Sequence, residues 1–437
     1  MNTIYMSTKE LYAHFLECSG ISTDTRKCEV GTMFFALKGA TFNGNAFAKK
    51  ALEDGCKYAV IDDPALMTEN NPRLLLVEDV LKSLQDLAHF HRQKWGKRII
   101  AVTGTNGKTT TKELLASVLS TTYKILYTQG NLNNHIGVPI TLLSLKEEHE
   151  LAVIEMGANH PGEIAFLAQI ASPDMGIITN VGKAHLEGFG SFEGVIKTKG
   201  ELYDYLRLYG EHTVFVPKEN HYLTAMTAGL KCIYYGKSAE GLYVQGDVLK
   251  CFPYLQFSWT YKGQQFEVTT QLIGDYNLEN ALVAIAVGLY LGVGEQAICE
   301  ALATYQPQNN RSQYEDTGKN KLIVDAYNAN PTSMRKAIEN FERMEFTNKM
   351  LILGDMKELG ENTKAEHQAV VDLLGASKSF QRIILIGENF GQTNHSFEHY
   401  NTTKEVADLF TNQPPMHYQI LIKGSNSMKL PQLIPYL

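Results

Sequence analysis

Six consecutive residues, Gly104-Thr105-Asn106-Gly107-Lys108-Thr109, have the types and order needed to hold a nucleoside triphosphate. They follow an apolar run, Ile99-Ile100-Ala101-Val102, that reads as a buried strand, and they precede a segment from Thr110 to Leu119 that reads as a helix. A glycine turn in that setting directs unpaired backbone N–H groups and the positive end of a helix dipole at an anion. Lys108 would reach the terminal phosphates as a point charge, and the Thr109 hydroxyl, with Thr110 beside it, would face the accompanying magnesium ion. The loop is shorter than the common G-x-x-x-x-G-K-[ST] pattern. Val102 stands where the first glycine belongs, and Gly104 lies only three residues before Gly107.

Other chemistry-bearing residues stand where apolar runs end. Glu155 closes Leu151–Glu155, His185 follows the strand-like Met175–Val181, and Asp325 closes Leu322–Asp325. Ligand clefts of open parallel sheets lie at such carboxyl ends. Each has a plainer reading beside the functional one. Glu155 would be a surface carboxylate, His185 a solvated loop residue and Lys199 a solvated helix lysine, and Asn277 would be a helix N-cap.

The elements that must position these residues fall into three regions, as expected of a 437-residue chain. Up to about Val80, short runs (Thr32–Ala36, Tyr58–Ile61, Leu74–Val77) alternate with Gly, Asn and Pro turns, which predicts a small α/β unit. Leu81 to Trp95 has helical apolar spacing and leads into a second region with the β-α-β rhythm of a parallel sheet. From Leu242 to Leu272 the period becomes two (Leu255, Phe257, Trp259, Tyr261), predicting antiparallel strands, and a long helix, Asn277 to Leu291, follows. The stretch Tyr305–Arg311 reads as a linker. Beyond it, Leu322–Asp325, Met350–Leu353, Ile383–Ile386 and Ile420–Ile422 predict a third, doubly wound domain. The expectation is therefore an α/β protein of three domains: a small N-terminal α/β domain (1–82), a central parallel-sheet domain with the phosphate loop and added antiparallel strands (83–306), and a C-terminal Rossmann-like domain (307–437).

Composition removes several classes. A net charge of −7 argues against a nucleic-acid binder, which needs a basic face. Six cysteines without a C-x-x-C pair predict free thiols rather than a disulfide or zinc scaffold. The N-terminus lacks the apolar core of a signal peptide, and no apolar run nears the roughly 20 residues of a membrane span. A cytoplasmic location is expected.

The segment Thr103–Thr111 resembles the short phosphate loop of the Mur ligase family, ATP-dependent amide-forming enzymes of bacterial cell-wall synthesis. Gly130–Pro139, Glu155–Asn159, Ala184–Ser191, Asp325–Pro331 and Leu353–Gly360 follow in order and look like one branch of it. That branch joins D-alanyl-D-alanine to UDP-N-acetylmuramoyl-tripeptide through an acyl phosphate. The resemblance covers the whole chain, and it implies a role for each residue. Thr109 and Glu155 would hold one magnesium ion; His185 and Lys199, the latter as a carbamate, would hold a second. Asn277 and Asn280 would meet adenine, and Asp325 the ribose. Arg311 would reach the terminal phosphate, and with Lys108, Glu155, His185 and Lys199 it makes up the catalytic set. Asn133, Asn134, Asn328, Asn330 and Ser333 would lie along the peptide substrates, while Ser22, Asp24, Arg26 and Gly44 resemble the uridine-diphosphate turns. Asn426 stands where the family has an arginine. A monomer is expected.

Two alternatives stay open at this point. One is the sibling that adds the third amino acid, whose third domain carries an Asn-Pro-Arg triplet; this chain has Asn71-Pro72-Arg73 only in the first region. The other is a nucleotide-regulated binding module without ligase activity. The sequence leaves open whether diaminopimelate or lysine occupies peptide position three.

Overall fold

The structure is a computed structural model that describes residues 5–69, 71–210, 212–307 and 313–437. Three sheets follow one another along the chain. The first has four parallel strands in sequence order, Ile21–Ser22, Met33–Phe35, Tyr58–Ile61 and Leu74–Leu76.

The central sheet has nine strands. From one edge they run Ile125–Tyr127, Leu151–Glu155, Arg98–Thr103, Met175–Ile178, Thr213–Pro217, Lys231–Gly236 and Val244–Lys250, all parallel to their neighbours. Gln256–Tyr261 and Gln264–Thr269 extend it as the antiparallel hairpin that the period-two pattern predicts. Lys262 (φ 47°) and Gly263 (φ 78°) make the hairpin turn, both in the left-handed region that a tight two-residue connection demands. Phe257 and Trp259 are fully buried, and Trp259 stacks on Phe266 with ring centres 4.3 Å apart.

Successive residues of Arg98–Thr103 serve different cores. Ile99 and Ala101 pack on one face, while Ile100 and Val102 pack on the other, against the helices Lys108–Leu119 and Asn277–Tyr290. A strand covered on both faces must be apolar at every position, which is why Ile-Ile-Ala-Val shows no alternation.

The third sheet has one antiparallel edge strand, Gln313–Asp316, followed by Lys321–Asp325, Gln419–Lys423, Lys349–Gly354, Arg382–Ile386 and Glu398–Tyr400, all parallel. The four predicted runs are its four inner strands.

The helix Val80–Trp95 crosses the expected boundary at 82/83. Asp79 caps its start by accepting from Lys82 N at 2.7 Å, and Gly96 at φ 68° ends it. Its apolar stripe (Leu84, Leu87, Ala88) is fully buried in one core that contains Phe35 and Val60 of the first sheet and Ile99 and Ile154 of the central one. The helix therefore belongs to both domains, a sharing that apolar spacing along one segment does not reveal. Leu87→Ala should cost about 2–5 kcal/mol. The first and central domains should then lose stability together in a urea titration followed by separate probes in each; a shift in only one of them would show that the core is not shared.

Candidate functional site

The carboxyl ends of the central strands meet the third domain across a cleft of about 590 Å³. The phosphate loop forms its floor. Gly104 (φ 140°) and Gly107 (φ 79°) are required for conformation and for space. A Cβ at Gly104 would lie 2.0 Å from Thr179 Oγ1, and one at Gly107 would lie 2.6 Å from Asn280 Oδ1. Gly107 caps the helix Lys108–Leu119 without a side-chain bond, so the helix start is open to a ligand. Lys108 Nζ lies back over its own loop, donating to Gly104 O at 2.8 Å and Thr105 O at 3.0 Å. Phosphate oxygens would offer a stronger, charged acceptor in place of these carbonyls.

Parallel register places Glu155 beside Val102, at the mouth of the loop. Its side chain is 1 % exposed. Oε1 accepts from Asn133 Nδ2 at 2.8 Å and from Thr109 Oγ1 at 3.2 Å. Oε2 is buried with no hydrogen-bond partner among the described residues, and Lys112 Nζ stands 3.9 Å from it. An orphaned carboxylate oxygen beside a threonine hydroxyl is a donor set that suits a hard divalent cation. Asn134 also lines the cleft, but its side chain accepts from Gly137 N at 2.9 Å and so shapes the turn.

His185 sits at φ 49°, a left-handed conformation unusual for this residue, and lines the same cleft. Its Nδ1 meets the Glu358 carboxylate of the third domain, an ion pair when the imidazole is protonated. A hydrogen bond from His185 holds the Glu358 carboxyl below its usual range. Lys199 is not a solvated helix lysine. It is 2 % exposed, is not among the residues that line the cleft, and its ammonium faces the Phe189 ring 5.3 Å away. Burial, with Lys108 adding repulsion, pulls its pKa down to about 7.

Asn277 and Asn280 line the cleft and are buried. Asn277 is not an N-cap: it is the first helical residue, and its amide donates to Ile273 O at 2.8 Å. Asn280 donates to Asn277 Oδ1 at 2.8 Å and accepts from Thr111 Oγ1 at 3.1 Å. One N–H of each amide remains for a ligand.

From the third domain, Asp325, Asn328 and Ser333 line the facing wall. Asn330 and Ser333 form a capping box at the start of the helix Pro331–Arg343, and Asn330 Nδ2 also donates to Asn106 Oδ1 of the phosphate loop at 2.8 Å. Arg311 lies outside the described residues. Ser22, Asp24, Arg26 and Gly44 are in the first domain, away from the cleft lining. Arg26 is clamped onto Asp24 at 2.7 Å and is otherwise exposed, and a Cβ at Gly44 would strike Leu37 O at 2.4 Å.

Sequence reasoning missed three participants. Asn180 accepts from Thr105 N at its carbonyl (2.9 Å) and from Asn106 N at its side chain (3.0 Å), bracing the loop from the next strand. Its place just past an apolar strand end was the available signal. Lys112, one helical turn past Lys108, and Glu358 carry no such sign, because each acts through a contact distant in sequence.

Family models match in three consecutive blocks: the Mur ligase family catalytic domain over residues 17–93, the Mur ligase middle domain over 102–288, and the Mur ligase glutamate ligase domain over 310–413. The UDP-N-acetylmuramoyl-tripeptide–D-alanyl-D-alanine ligase of Bacillus subtilis is 35% identical over 427 residues, covering 95% of this chain and 92% of its own. Among solved structures, MurF from Acinetobacter baumannii superposes with a TM-score of 0.86 at 28% identity, covering 100% of this chain and 99% of its own. The MurF ligase of Thermotoga maritima, solved in complex with ADP, gives 0.84 at 25% identity with 97% of each chain covered.

Gly107→Ala should weaken ADP binding at least about tenfold, because the left-handed φ and the Asn280 contact both oppose a methyl group. Calorimetric titration checks it; affinity within twofold of the parent would remove the loop from the nucleotide site.

Proposed function

The chain belongs to the Mur ligase family, and we propose that it joins D-alanyl-D-alanine to UDP-N-acetylmuramoyl-tripeptide, cleaving ATP to ADP and phosphate. The observation that carries this reading is the cleft itself. A phosphate loop, a buried carboxylate with one oxygen lacking a hydrogen bond and His185 meet a polar wall from a separate domain.

Phosphorylating the tripeptide carboxylate brings two anions together, so the protein must supply positive charge and exact placement. Lys108 leaves its loop carbonyls for the terminal phosphate, and the open helix start behind Gly107 receives the others. Arg311 would add a planar fork from the third domain. Asp325 would accept from the ribose, and the remaining amide N–H groups of Asn277 and Asn280 would reach adenine. The dipeptide amine then attacks the acyl phosphate, its nitrogen bonding to the carbonyl carbon as phosphate departs. Closing the third domain over the cleft would keep water from that intermediate.

Thr109 and Glu155 would hold one magnesium ion, and His185 with Lys199 a second; bound there, the ions would neutralise charge on the transferring phosphoryl group. A buried ammonium suits neither the apolar surroundings of Lys199 nor a nearby cation. A carbamate does: the neutral amine adds to the carbon of CO2, a proton leaves to solvent, and an anionic oxygen donor results. Asn328, Asn330 and Ser333 would border the dipeptide, and the Ser22–Arg26 and Gly44 turns the uridine diphosphate. The expected setting is a cytoplasmic monomer, and no helix among the described residues is long and apolar enough to cross a membrane.

The sibling activity has less support. Arg73 of the Asn-Pro-Arg triplet donates to Leu52 O at 2.9 Å and Lys57 O at 3.1 Å inside the first domain, remote from the cleft.

Phosphate release should require ATP, the nucleotide-tripeptide and D-alanyl-D-alanine together; release with a single amino acid in place of the dipeptide would defeat the assignment. Comparing tripeptides carrying diaminopimelate and lysine in the same assay would set position three. Lys199→Ala should lower turnover by about 100-fold or more, with partial rescue by short carboxylic acids and none by bicarbonate. Near-normal turnover in this variant would rule out the carbamate.

A further inference from the structure

Two neighbouring strands of the third sheet end in opposite charges. Asp325 closes Lys321–Asp325, Lys423 closes Gln419–Lys423, and the two are register partners. The Lys423 side chain is 1 % exposed, whereas Asp325 keeps 19 % of its surface open. Lys423 Nζ donates to Asp325 Oδ2 at 2.5 Å and to the Asn328 carbonyl at 3.4 Å. Lysines ordinarily let the ammonium reach water while the stem packs; here stem and charge are both enclosed. The strand end itself has no room to shift, because a Cβ at Gly424 would lie 3.0 Å from Gly354 Cα and 2.7 Å from Leu430 Cδ1. Both Asp325 and Lys423 border the cleft. With Oδ2 pinned, the second oxygen of Asp325 is the one available to a ligand.

We propose that Lys423 is a positioning residue that fixes the Asp325 carboxylate in one orientation, so that its free oxygen accepts a hydroxyl of the nucleotide ribose. The inference rests on the reading of Asp325 as the ribose acceptor. A carboxylate held by a buried cation cannot rotate away from the cleft, and its hydrogen bond to a hydroxyl is charge-assisted, worth about tenfold or more in affinity. The second bond, to the Asn328 carbonyl, ties down the turn leading to Asn330, which touches the phosphate loop.

The test measures dissociation constants for ATP, 2′-deoxy-ATP and 3′-deoxy-ATP by calorimetry on the full chain. Wild type, Asp325→Asn, Lys423→Met and Lys423→Arg are compared, with thermal unfolding as the check on folding. Wild type should favour ATP over at least one deoxy analogue by about tenfold. Asp325→Asn and Lys423→Met should each bring that ratio close to one, and Lys423→Arg should retain part of it. A merely structural lysine would lower stability and weaken all three nucleotides alike, leaving the ratio intact. No discrimination in wild type, or full discrimination in Asp325→Asn, would overturn the ribose reading. Lost discrimination in Asp325→Asn with the wild-type ratio in Lys423→Met would overturn the role of Lys423 alone. If Lys423→Met does not fold, Lys423→Gln takes its place, and a wild-type ratio there overturns the proposal equally.

Discussion

The burial of one carboxylate organises the centre of this molecule. Glu155 ends an inner strand of the central sheet with its side chain enclosed, and an isolated anion there would be costly unless cations and donors met it. Two elements answer that demand. Asn133 comes from the turn before the helix Gly137–Leu142, and Thr109 and Lys112 come from the phosphate-loop helix. Even so, one oxygen keeps no hydrogen-bond partner among the described residues. The fold thus places a buried carboxylate beside the phosphate loop, and the metal ion proposed for Thr109 and Glu155 would offset the charge left there.

The third domain meets this socket through polar contacts. Asn106 exchanges amide bonds with Asn330, Lys183 pairs with Glu366 at 2.7 Å, and Glu358 reaches His185. Apolar packing accompanies these links, since Ile273 of the central domain is buried in the third-domain core and the Phe252 ring meets Phe346 edge-on with centres 4.3 Å apart. The first domain shares a core with the central sheet through Leu84 and Leu87. Both outer domains are therefore joined to the central one by buried apolar side chains, and the polar contacts to the third domain gather around the cleft.

Much of this was legible in the sequence because the elements obey local rules. The inner strands of the third sheet, and Ile99–Val102, Leu151–Glu155 and Met175–Ile178 of the central one, are short apolar runs, and the hairpin Gln256–Thr269 shows its period of two. Thr213–Pro217 and Lys231–Gly236 were not read from the sequence, the latter because its exposed and half-buried positions give no apolar run. Glu155, His185 and Asp325 could be singled out because polar residues at carboxyl ends of parallel strands have few structural reasons to be there. The environment of Lys199 was not legible. Helical spacing does not say which face is covered, and its burial follows from how the helices Leu186–Phe189 and Phe192–Leu208 pack. The pairing of Lys423 with Asp325 was hidden for a similar reason, since the strands are 98 positions apart and become neighbours only through crossover topology.

The short phosphate loop has a physical explanation in its neighbour strand. A longer loop would surround phosphate with its own N–H groups. Here Thr105 N and Asn106 N are already taken by Asn180, and Thr179 Oγ1 donates to Asn106 O at 2.6 Å. The strand end at Thr179–Asn180 therefore braces the loop from outside, and the absent glycine at position 102 is not needed for a turn. The same bracing forces Gly104, since any side chain there would collide with Thr179. What remains for the ligand is the N-terminal turn of the helix Lys108–Leu119, with Lys108 and Thr109 at its tip. A loop held this rigidly loses little freedom when phosphate arrives, so binding energy is kept for the charge it must neutralise. Asn106 ties the loop to both neighbours, since Asn180 braces its backbone and Asn330 of the third domain bonds its side chain.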